Sequence, residues 1–363
     1  METLDLKQSP ITTIRRGSLE LPKSVIKDAS STLRCLSRKI QPSSKPQKTV
    51  TLSPEVKPCT PKRSLIYNLH TAYLFAAKDI KTILIPQTLF GLINAYACTQ
   101  EAKTHAPSTA VSLSDILHRT PITILWISLN LIPFCIDNQR QPGSIAEDAV
   151  NKPSRPLPAK RLTAEQARTW IFTLYTTAFI FSLCVGGTSM CLALMGLGWL
   201  YNDRQMSEHG WVTRNILTAL GYAAFGVGAL MVAMPTSLAE STISPKTWLW
   251  VLFLAGVIAT TGHLTDMADL EGDKSRGRKT APIVLGENLV TWTICLPVAV
   301  WSVLCPWFWE VSFLGFVLPV VVGKEIVSRL LTKRTAGGYK QTFRIWNLWV
   351  AVIYFLPLLG RKL

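Results

Sequence analysis

Charged residues are scarce in this sequence. Asp, Glu, Lys and Arg make up 17% of its 363 residues, whereas soluble domains carry roughly 25%. The mean hydropathy is +0.26, and the chain contains 12 tryptophans. So little charge argues against a soluble domain, and the apolar composition predicts an integral membrane protein.

Acidic residues are especially few, which leaves a net charge of +16. Such an excess of cations can indicate nucleic-acid binding. Here, however, the first 63 residues hold 13 Lys and Arg against 5 Asp and Glu, and most other cations lie in short loops between apolar runs. Cations placed in this way set membrane orientation and contact anionic head groups. We therefore expect the lipid bilayer as a partner, and no nucleic acid.

Paired cysteines and clustered histidines are also missing. The eight cysteines include no CxxC pair, six of them lie in or beside apolar runs, and the five histidines are scattered. This pattern argues against disulfides or a zinc motif and is typical of small packing residues in a reducing compartment. The first residues include acids and no apolar core, so we expect no secretory signal.

What the chain has instead is a succession of apolar runs after a polar tail. Residues 1–66, rich in Ser, Pro, Thr and Lys, are predicted to be a disordered, basic, cytosolic tail, with a mitochondrial presequence as the alternative. A membrane helix needs about 20 mainly apolar residues, and residues 67–363 therefore predict an all-α membrane domain with nine transmembrane helices. The predicted spans are Thr82–Thr99, Ile116–Ile136, two short spans within Thr169–Asn202 joined at Gly186-Gly187, Asn215–Met234, Thr247–Thr265, Asn288–Trp307, Val311–Leu331 and Ile345–Leu359.

The loops between these spans alternate in cation content. Loops after the second, fourth, sixth and eighth spans hold most of the Lys and Arg, whereas the opposite loops hold little beyond Lys103 and Lys246. Because Lys and Arg accumulate in cytoplasmic loops, we expect the cation-rich loops and the N-terminus to be cytosolic.

Three carboxylates follow directly after the sixth predicted span. Asp266, Asp269 and Asp273 would lie within about 60° of one another on a helix. Acids at the mouth of a membrane span are costly and tend to be functional. The four cations that follow within six residues are Lys274, Arg276, Arg278 and Lys279.

The loop after the second span has the same order of acids and then cations. Glu147 and Asp148 stand in a short helical stretch, and prolines at 153, 156 and 158 predict extended chain after it. The cations around these prolines are Lys152, Arg155, Lys160 and Arg161. The two loops are therefore predicted to be counterparts on one side of the membrane.

Carboxylates that face cations suit one kind of ligand well. Mg²⁺ takes carboxylate and phosphate oxygens and keeps several waters, while Lys and Arg take the remaining phosphate oxygens. An apolar cavity below would hold a hydrocarbon tail. The ligand implied is a prenyl diphosphate, whose C–O bond the metal would help to ionise. The aromatics that could line such a cavity, or simply pack, are Phe90, Tyr96, Trp126, Tyr175, Phe179, Tyr222, Phe225 and Trp346.

The second acidic cluster resembles a motif of the UbiA superfamily of intramembrane prenyltransferases. Its DxxDxxGD pattern matches Asp266, Asp269, Gly272 and Asp273, and residues 151–157 match its NKPxRPL segment. The resemblance covers about residues 67–363. It implies a UbiA-like bundle of nine helices with cytosolic Asp-rich loops.

The first motif departs from the usual NxxxDxxxD of the superfamily. Only Asp148 is in place, because Ser144 and Arg140 occupy the other two positions. The displaced metal shell would then be Asn138, Glu147 and Asp148. An altered first motif of this form resembles the fungal UbiA-type terpene cyclases, and this branch suggests the endoplasmic reticulum.

The resemblance implies Mg²⁺ as cofactor and a role for each matching residue. The three aspartates of the second motif would be both catalytic residues and metal ligands. The full set of implied metal ligands is Asn138, Glu147, Asp148, Asp266, Asp269 and Asp273. The implied diphosphate-binding residues are Lys152, Arg155, Lys274, Arg278 and Lys279.

The activity implied is that of a membrane-bound, Mg²⁺-dependent terpene cyclase of secondary metabolism, a lyase that ionises farnesyl diphosphate and closes it to a sesquiterpene. The alternative is prenyl transfer to an aromatic or other small acceptor, which begins with the same ionisation. A transporter or lipid-binding scaffold is a more distant alternative, since intramembrane acids also mark ion pathways. The span composition leaves open the choice of a C15 or C20 substrate, the product and the oligomeric state.

Overall fold

A computed structural model describes residues 64–105, 112–234 and 243–360. Positions 1–63 of the predicted disordered tail lie outside these residues. Within them, regular secondary structure is helical, with a single isolated bridge between Val311 and Gly360. The α-helices are α1 Leu65–Ala76, α2 Ile85–His105, α3 Leu113–His118, α4 Thr120–Arg140, α5 Pro142–Asn151, α6 Ala164–Val185, α7 Thr188–Gly198, α8 Trp211–Ala233, α9 Pro245–Thr261, α10 Leu264–Ala268, α11 Leu270–Ser275, α12 Ala281–Leu285, α13 Glu287–Phe308, α14 Phe313–Thr332 and α15 Ala336–Tyr354.

Short polar caps and glycines mark the helix ends. The side chains of Thr163 and Gln166 form a reciprocal capping box at the start of α6, which satisfies amide groups that have no partner inside the helix. Between α6 and α7, Gly186 and Gly187 have φ values of +99° and +76°, a region that suits glycine. The predicted tight glycine turn between two helices is therefore confirmed.

Five helical segments are long and apolar enough to cross a membrane. They are Thr120–Arg140, Ala164–Val185, Trp211–Ala233, Pro245–Ala268 and Glu287–Phe308. Many side chains on their outer faces are large, apolar and exposed, among them Phe172 and Leu252. Such surfaces match a lipid environment.

Helix α8 is the central helix of the bundle. It packs against α2, α4, α7 and α9, and it contributes to both clusters of buried apolar side chains. Small residues allow the close approach: a Cβ on Gly226 would lie 2.8 Å from the Phe90 ring, and one on Gly228 would overlap Trp126. Glycine at a helix contact lets backbones and large side chains come together. Packing therefore fixes the position of α8, which begins at the candidate site.

Candidate functional site

The second acidic motif lies on a broken helix rather than on one continuous face. Helix α10 ends at Ala268, and Asp269 has φ −107° and ψ 15° before α11 begins. The continuous helix expected for the three aspartates is therefore interrupted at Asp269. Asp266 and Asp273 each pair with an arginine, and isolated helical segments this short are only marginally stable.

Two of these aspartates are buried and the third is exposed. Asp266 and Asp273 are each 3% exposed. Asp266 Oδ1 lies 3.4 Å from Arg214 Nη2, and Asp273 Oδ1 lies 3.1 Å from Arg278 Nη1. Asp269 is exposed, and it forms no ion pair with any other residue that the structure describes. The motif therefore presents one free carboxylate flanked by two that arginines hold.

The first acidic motif lies on α5. Asp148 is buried, and its Oδ2 lies 2.6 Å from Arg155 Nη1. Glu147 Oε2 lies 3.0 Å from Arg276 Nη1, and Arg276 also contacts Glu208 at 3.0 Å. Arg276 therefore joins the two acidic loops that the sequence predicts to be counterparts.

The segment after α5 folds into turns instead of the extended chain that its prolines suggested. Backbone hydrogen bonds run from Arg155 N to Lys152 O and from Arg161 N to Pro156 O. Proline fixes only its own φ, near the value that tight turns also require. The turns bring Lys152 and Arg155 back over Asp148.

The altered first motif divides its polar residues between two sides of α4. Asn138 faces the site and its Nδ2 donates a hydrogen bond to Asn202 Oδ1 at 3.2 Å. Arg140 instead pairs with Asp137 and Asp203. Ser144 lines the same cavity as Asn138. This placement agrees with the displaced set of Asn138, Glu147 and Asp148, whose role as metal ligands stays a prediction.

A polar cavity of about 180 Å³ lies between the two motifs. Seven of the eleven predicted site residues line it, namely Asn138, Glu147, Asp148, Lys152, Arg155, Asp269 and Arg278. Asp266 and Asp273 lie behind this lining, against Arg214 and Arg278, which do line it. Lys274 and Lys279 are exposed and lie outside it.

An apolar cavity of about 590 Å³ adjoins the polar one. The residues that line both cavities are Lys152, Arg155, Tyr201, Arg214 and Asp269. The apolar walls include Phe134, Leu194, Leu197, Leu217, Tyr222 and Phe225. The volume lies within the roughly 300–1,000 Å³ of small-molecule sites. Two adjoining cavities thus share a largely charged wall, and the larger one has a mainly apolar lining.

The aromatic candidates divide between this wall and the packed core. Tyr222 and Phe225 line the apolar cavity. Trp126 and Trp346 are buried, and their indole N–H groups donate to Ser182 and Thr261. These two are packing residues, which is the alternative to cavity lining that the sequence left open.

Three residues at the site belong to neither motif, and a fourth, Arg276, is not singled out by its motif. Arg214 in the first turn of α8 and Tyr201 line both cavities, whereas Lys78 lines the apolar cavity alone. Burial lowers the pKa of Lys78, and the positive charges of Lys152 and Arg155 lower it further. Arg276 belongs to the predicted cation run, whose pattern does not single it out from Lys274. In the sequence, Arg214 is a lone cation beside a span, like many that serve orientation only.

The oxygen donors of the polar cavity fit Mg²⁺ better than a metal that needs a closed protein cage. In the described part of the chain, no three His, Cys, Asp or Glu side chains converge on one point. Mg²⁺ is usually held by one or two carboxylates together with phosphate oxygens and waters. Asp269 is free, and the buried Oδ2 of Asp266 has no hydrogen-bond partner, so the motif has unused carboxylate capacity.

Comparisons with known proteins agree on one family. The model of the UbiA prenyltransferase family matches residues 118–349. The fumagillin beta-trans-bergamotene synthase of Aspergillus fumigatus is 26% identical over 293 residues, which are 81% of this chain and 93% of that protein. The diterpene cyclase eriG of Hericium erinaceus is 28% identical over 241 residues, 62% of this chain and 68% of that protein.

The fold also matches a solved structure. A digeranylgeranylglyceryl phosphate synthase superposes with a TM-score of 0.54 at 16% sequence identity. The superposition covers 81% of this chain and 99% of that one. At this identity the likeness concerns the fold.

Proposed function

Because the chain belongs to the UbiA prenyltransferase family, as its resemblance to that superfamily predicts, we propose that it is a membrane-bound terpene cyclase. The substrate is farnesyl diphosphate, and the product is a cyclic sesquiterpene of the bergamotene type. The observation that carries the proposal is the wall that the polar cavity shares with the apolar one, which includes Arg155, Arg214 and Asp269.

Binding of the diphosphate falls to the cations around the polar cavity. Lys152, Arg155 and Arg278 line it, and guanidinium groups contact phosphate oxygens in a bidentate manner. The ion pairs of Arg155 and Arg278 with Asp148 and Asp273 hold both guanidinium groups in place beforehand. We assign Lys274 and Lys279 to the outer rim, where their charge attracts an anionic substrate.

Carboxylates and one amide around the same cavity would hold the metal. The ligands would be Asn138, Glu147 and Asp148 from the first motif and Asp269 from the second, with Asp266 and Asp273 reached from behind the cavity lining. When bound, Mg²⁺ draws charge onto the diphosphate leaving group and so lowers the barrier to breaking the C–O bond.

The apolar cavity governs what happens after ionisation. Leu194, Leu197 and Leu217 keep water from the allylic cation. The apolar walls fold the prenyl chain of the substrate so that one of its double bonds reaches that cation. The faces of Tyr222 and Phe225 stabilise positive charge. Ring closure needs no second substrate.

A transmembrane arrangement follows from the same proposal. The nine crossings are α2, α4, α6, α7, α8, α9 with α10, α13, α14 and α15. In this arrangement both acidic motifs and the N-terminal tail face the cytosol, from the endoplasmic reticulum. Protease protection of the loop near Lys152 in sealed microsomes would contradict this orientation.

Prenyl transfer is the second candidate, and one observation favours it. Lys340 and Arg344 of α15 lie at the apolar cavity and belong to neither acidic motif. They could hold an anionic acceptor beside the prenyl chain. The two candidates differ only in what traps the cation.

The deciding experiment supplies microsomes bearing the protein with Mg²⁺ and farnesyl diphosphate but no acceptor, and gas chromatography detects hydrocarbons. A cyclic sesquiterpene supports the cyclase. A parallel reaction with geranylgeranyl diphosphate tests the chain length. If hydrocarbon is absent from both reactions and a prenylated product forms only after a phenolic acceptor is added, the cyclase proposal is wrong and the transferase is favoured.

A further inference from the structure

A second carboxylate lines the apolar cavity and belongs to neither acidic motif. Asp79 lies between α1 and α2, directly before a short π-helical turn, Ile80–Leu84, of a type frequent at functional sites. The residue is half-buried and lines the apolar cavity. The polar cavity is lined by other residues. Asp79 therefore faces the hydrocarbon part of the proposed substrate.

The surroundings of Asp79 differ from those of the motif acids. Asp148, Asp266 and Asp273 each pair with an arginine. Asp79 forms no ion pair within the described ranges, and the thiol of Cys135 donates to its Oδ2 at 3.3 Å. A carboxylate that no cation holds is available to react with a group inside the cavity.

The chemistry of Asp79 is that of a base. Burial raises the pKa of its carboxyl above the ordinary value of 3.8, against smaller opposing effects from Cys135, Arg155, Lys78 and Thr82. A carboxylate with a raised pKa accepts protons more readily. It lines the apolar cavity, in which the proposed reaction must release a proton.

We propose that Asp79 is the base that ends the cyclisation. Its carboxylate takes a proton from a carbon adjacent to the cationic carbon of the cyclised intermediate. The electron pair of the broken C–H bond forms the C=C bond of the olefin, and Asp79 becomes a neutral carboxylic acid. That acid then loses its proton to water at the cavity mouth.

Asp79 differs in location from Asp269, the other carboxylate that lines this cavity. Asp269 also lines the apolar cavity, but it lines the polar cavity as well and is assigned to the metal. Among the described carboxylates, Asp79 is therefore the one that lines the apolar cavity and not the polar one.

This inference rests on the proposed function, and its test separates the two. Asp79→Asn keeps the size of the side chain and its contact with Cys135 but removes the base. Diphosphate release from farnesyl diphosphate should stay within about fivefold of wild type, because ionisation does not use Asp79. The share of the main olefin among products should fall by about 100-fold, the lower range of what a positioned base contributes. Alcohols formed by water, or olefins that lost a different proton, should replace it.

Two further variants complete the design. Asp79→Glu restores a carboxylate displaced by one methylene, so olefins should remain the main class while their ratio changes. Asp115→Asn is the matched control, because Asp115 caps α3 with Ser112 outside both cavities, and its product profile should equal that of wild type.

Each outcome has a distinct meaning. An unchanged olefin profile in Asp79→Asn overturns the inference while the cyclase stands, and so does lower turnover with unchanged product ratios, which indicates a structural role. Wild-type protein that neither releases diphosphate nor forms hydrocarbon overturns the proposed function itself. If Asp79→Asn does not accumulate in the membrane, Asp79→Glu decides, and an unaltered olefin ratio there also overturns the inference.

Discussion

Arg276 in the second acidic loop contacts Glu147 in the first, with Nη1 and Oε2 3.0 Å apart. The two residues are 129 positions apart in the chain, yet both line the polar cavity. The pair is partly buried, with about a sixth of each side chain exposed. This contact couples the two halves of the candidate site.

Breaking the Arg276–Glu147 pair should impair the binding of prenyl diphosphate. Arg276→Gln and Glu147→Gln should each lower kcat/KM, and the double variant should lose less than the sum of the two. The interaction energy from this double-mutant cycle should be about 1 kcal/mol, within the usual range for residues in contact. Strictly additive losses would show that the loops act independently. Arg140→Gln, whose ion pairs lie outside the polar cavity, is the control.

Removing the free carboxylate of the second motif should abolish turnover without harming the fold. Asp269 is exposed and has no described ion-pair partner, so Asp269→Asn should accumulate in membranes like wild type. Its activity should fall by at least about 100-fold, as for disrupted metal sites, and half-maximal activity should need more Mg²⁺. The measurement is a Mg²⁺ titration of diphosphate release. Full activity at the wild-type Mg²⁺ requirement would exclude Asp269 as a ligand.

Gly221 offers a way to shorten the apolar cavity. It lines that cavity, and a Cβ on it would meet no atom within 4 Å. Gly221→Leu should therefore extend into open space and take up room that a longer prenyl chain needs. The kcat/KM for geranylgeranyl diphosphate, relative to that for farnesyl diphosphate, should fall by about 10-fold or more. This is the scale on which a hydrophobic pocket discriminates between substrates of different size. Equal losses with both substrates would mean that the prenyl chain does not extend past Gly221.

Close packing of α8 predicts a large penalty at Gly228. A methyl group there would overlap the ring of Trp126, and overpacking of a core usually costs about 1–3 kcal/mol. Gly228→Ala should thus lower the midpoint of thermal inactivation in detergent. Gly196→Ala on α7 is the matched control, because its Cβ would meet nothing within 4 Å. A control that loses as much stability as Gly228→Ala would contradict this explanation.

Asp79 should make stability depend on pH in a defined direction. Because burial raises its pKa in the folded protein above the ordinary 3.8, the protonated carboxyl is favoured by folding. That contribution is fully present below the unfolded pKa and is lost as pH rises through the folded pKa. Wild type should therefore lose stability relative to Asp79→Asn as the pH rises above the ordinary value of 3.8. A thermal inactivation series at several pH values checks this, and a constant difference would contradict it.

The sequence predicts those parts of the site that depend on local chemistry. Apolar length, the glycine pair at 186–187 and the spacing of acids and cations each follow from short stretches of chain, and the structure shows the helices, the turn and the shared cavity. Asn138 could be chosen over Arg140 because its side chain type suits a metal, and it does line the cavity.

Long-range pairing decides what the sequence does not predict. Arg214 in the first turn of α8 pairs with Asp266 on α10, much later in the chain. The turns after α5 bring Arg155 back to Asp148, and Arg278 folds back onto Asp273. A single sequence shows such arginines as ordinary loop cations.

Helix α8 has one more consequence. Arg214 stands in its first turn at the charged mouth, and Gly221, Tyr222 and Phe225 follow on the same rigid rod inside the apolar cavity. At about 1.5 Å per residue, the eleven positions from Arg214 to Phe225 span roughly 16 Å along the axis. Under the proposed function, the helix would set how far the reacting carbons lie from the phosphates, and moving a bulky side chain by one turn would change that distance by about 5 Å.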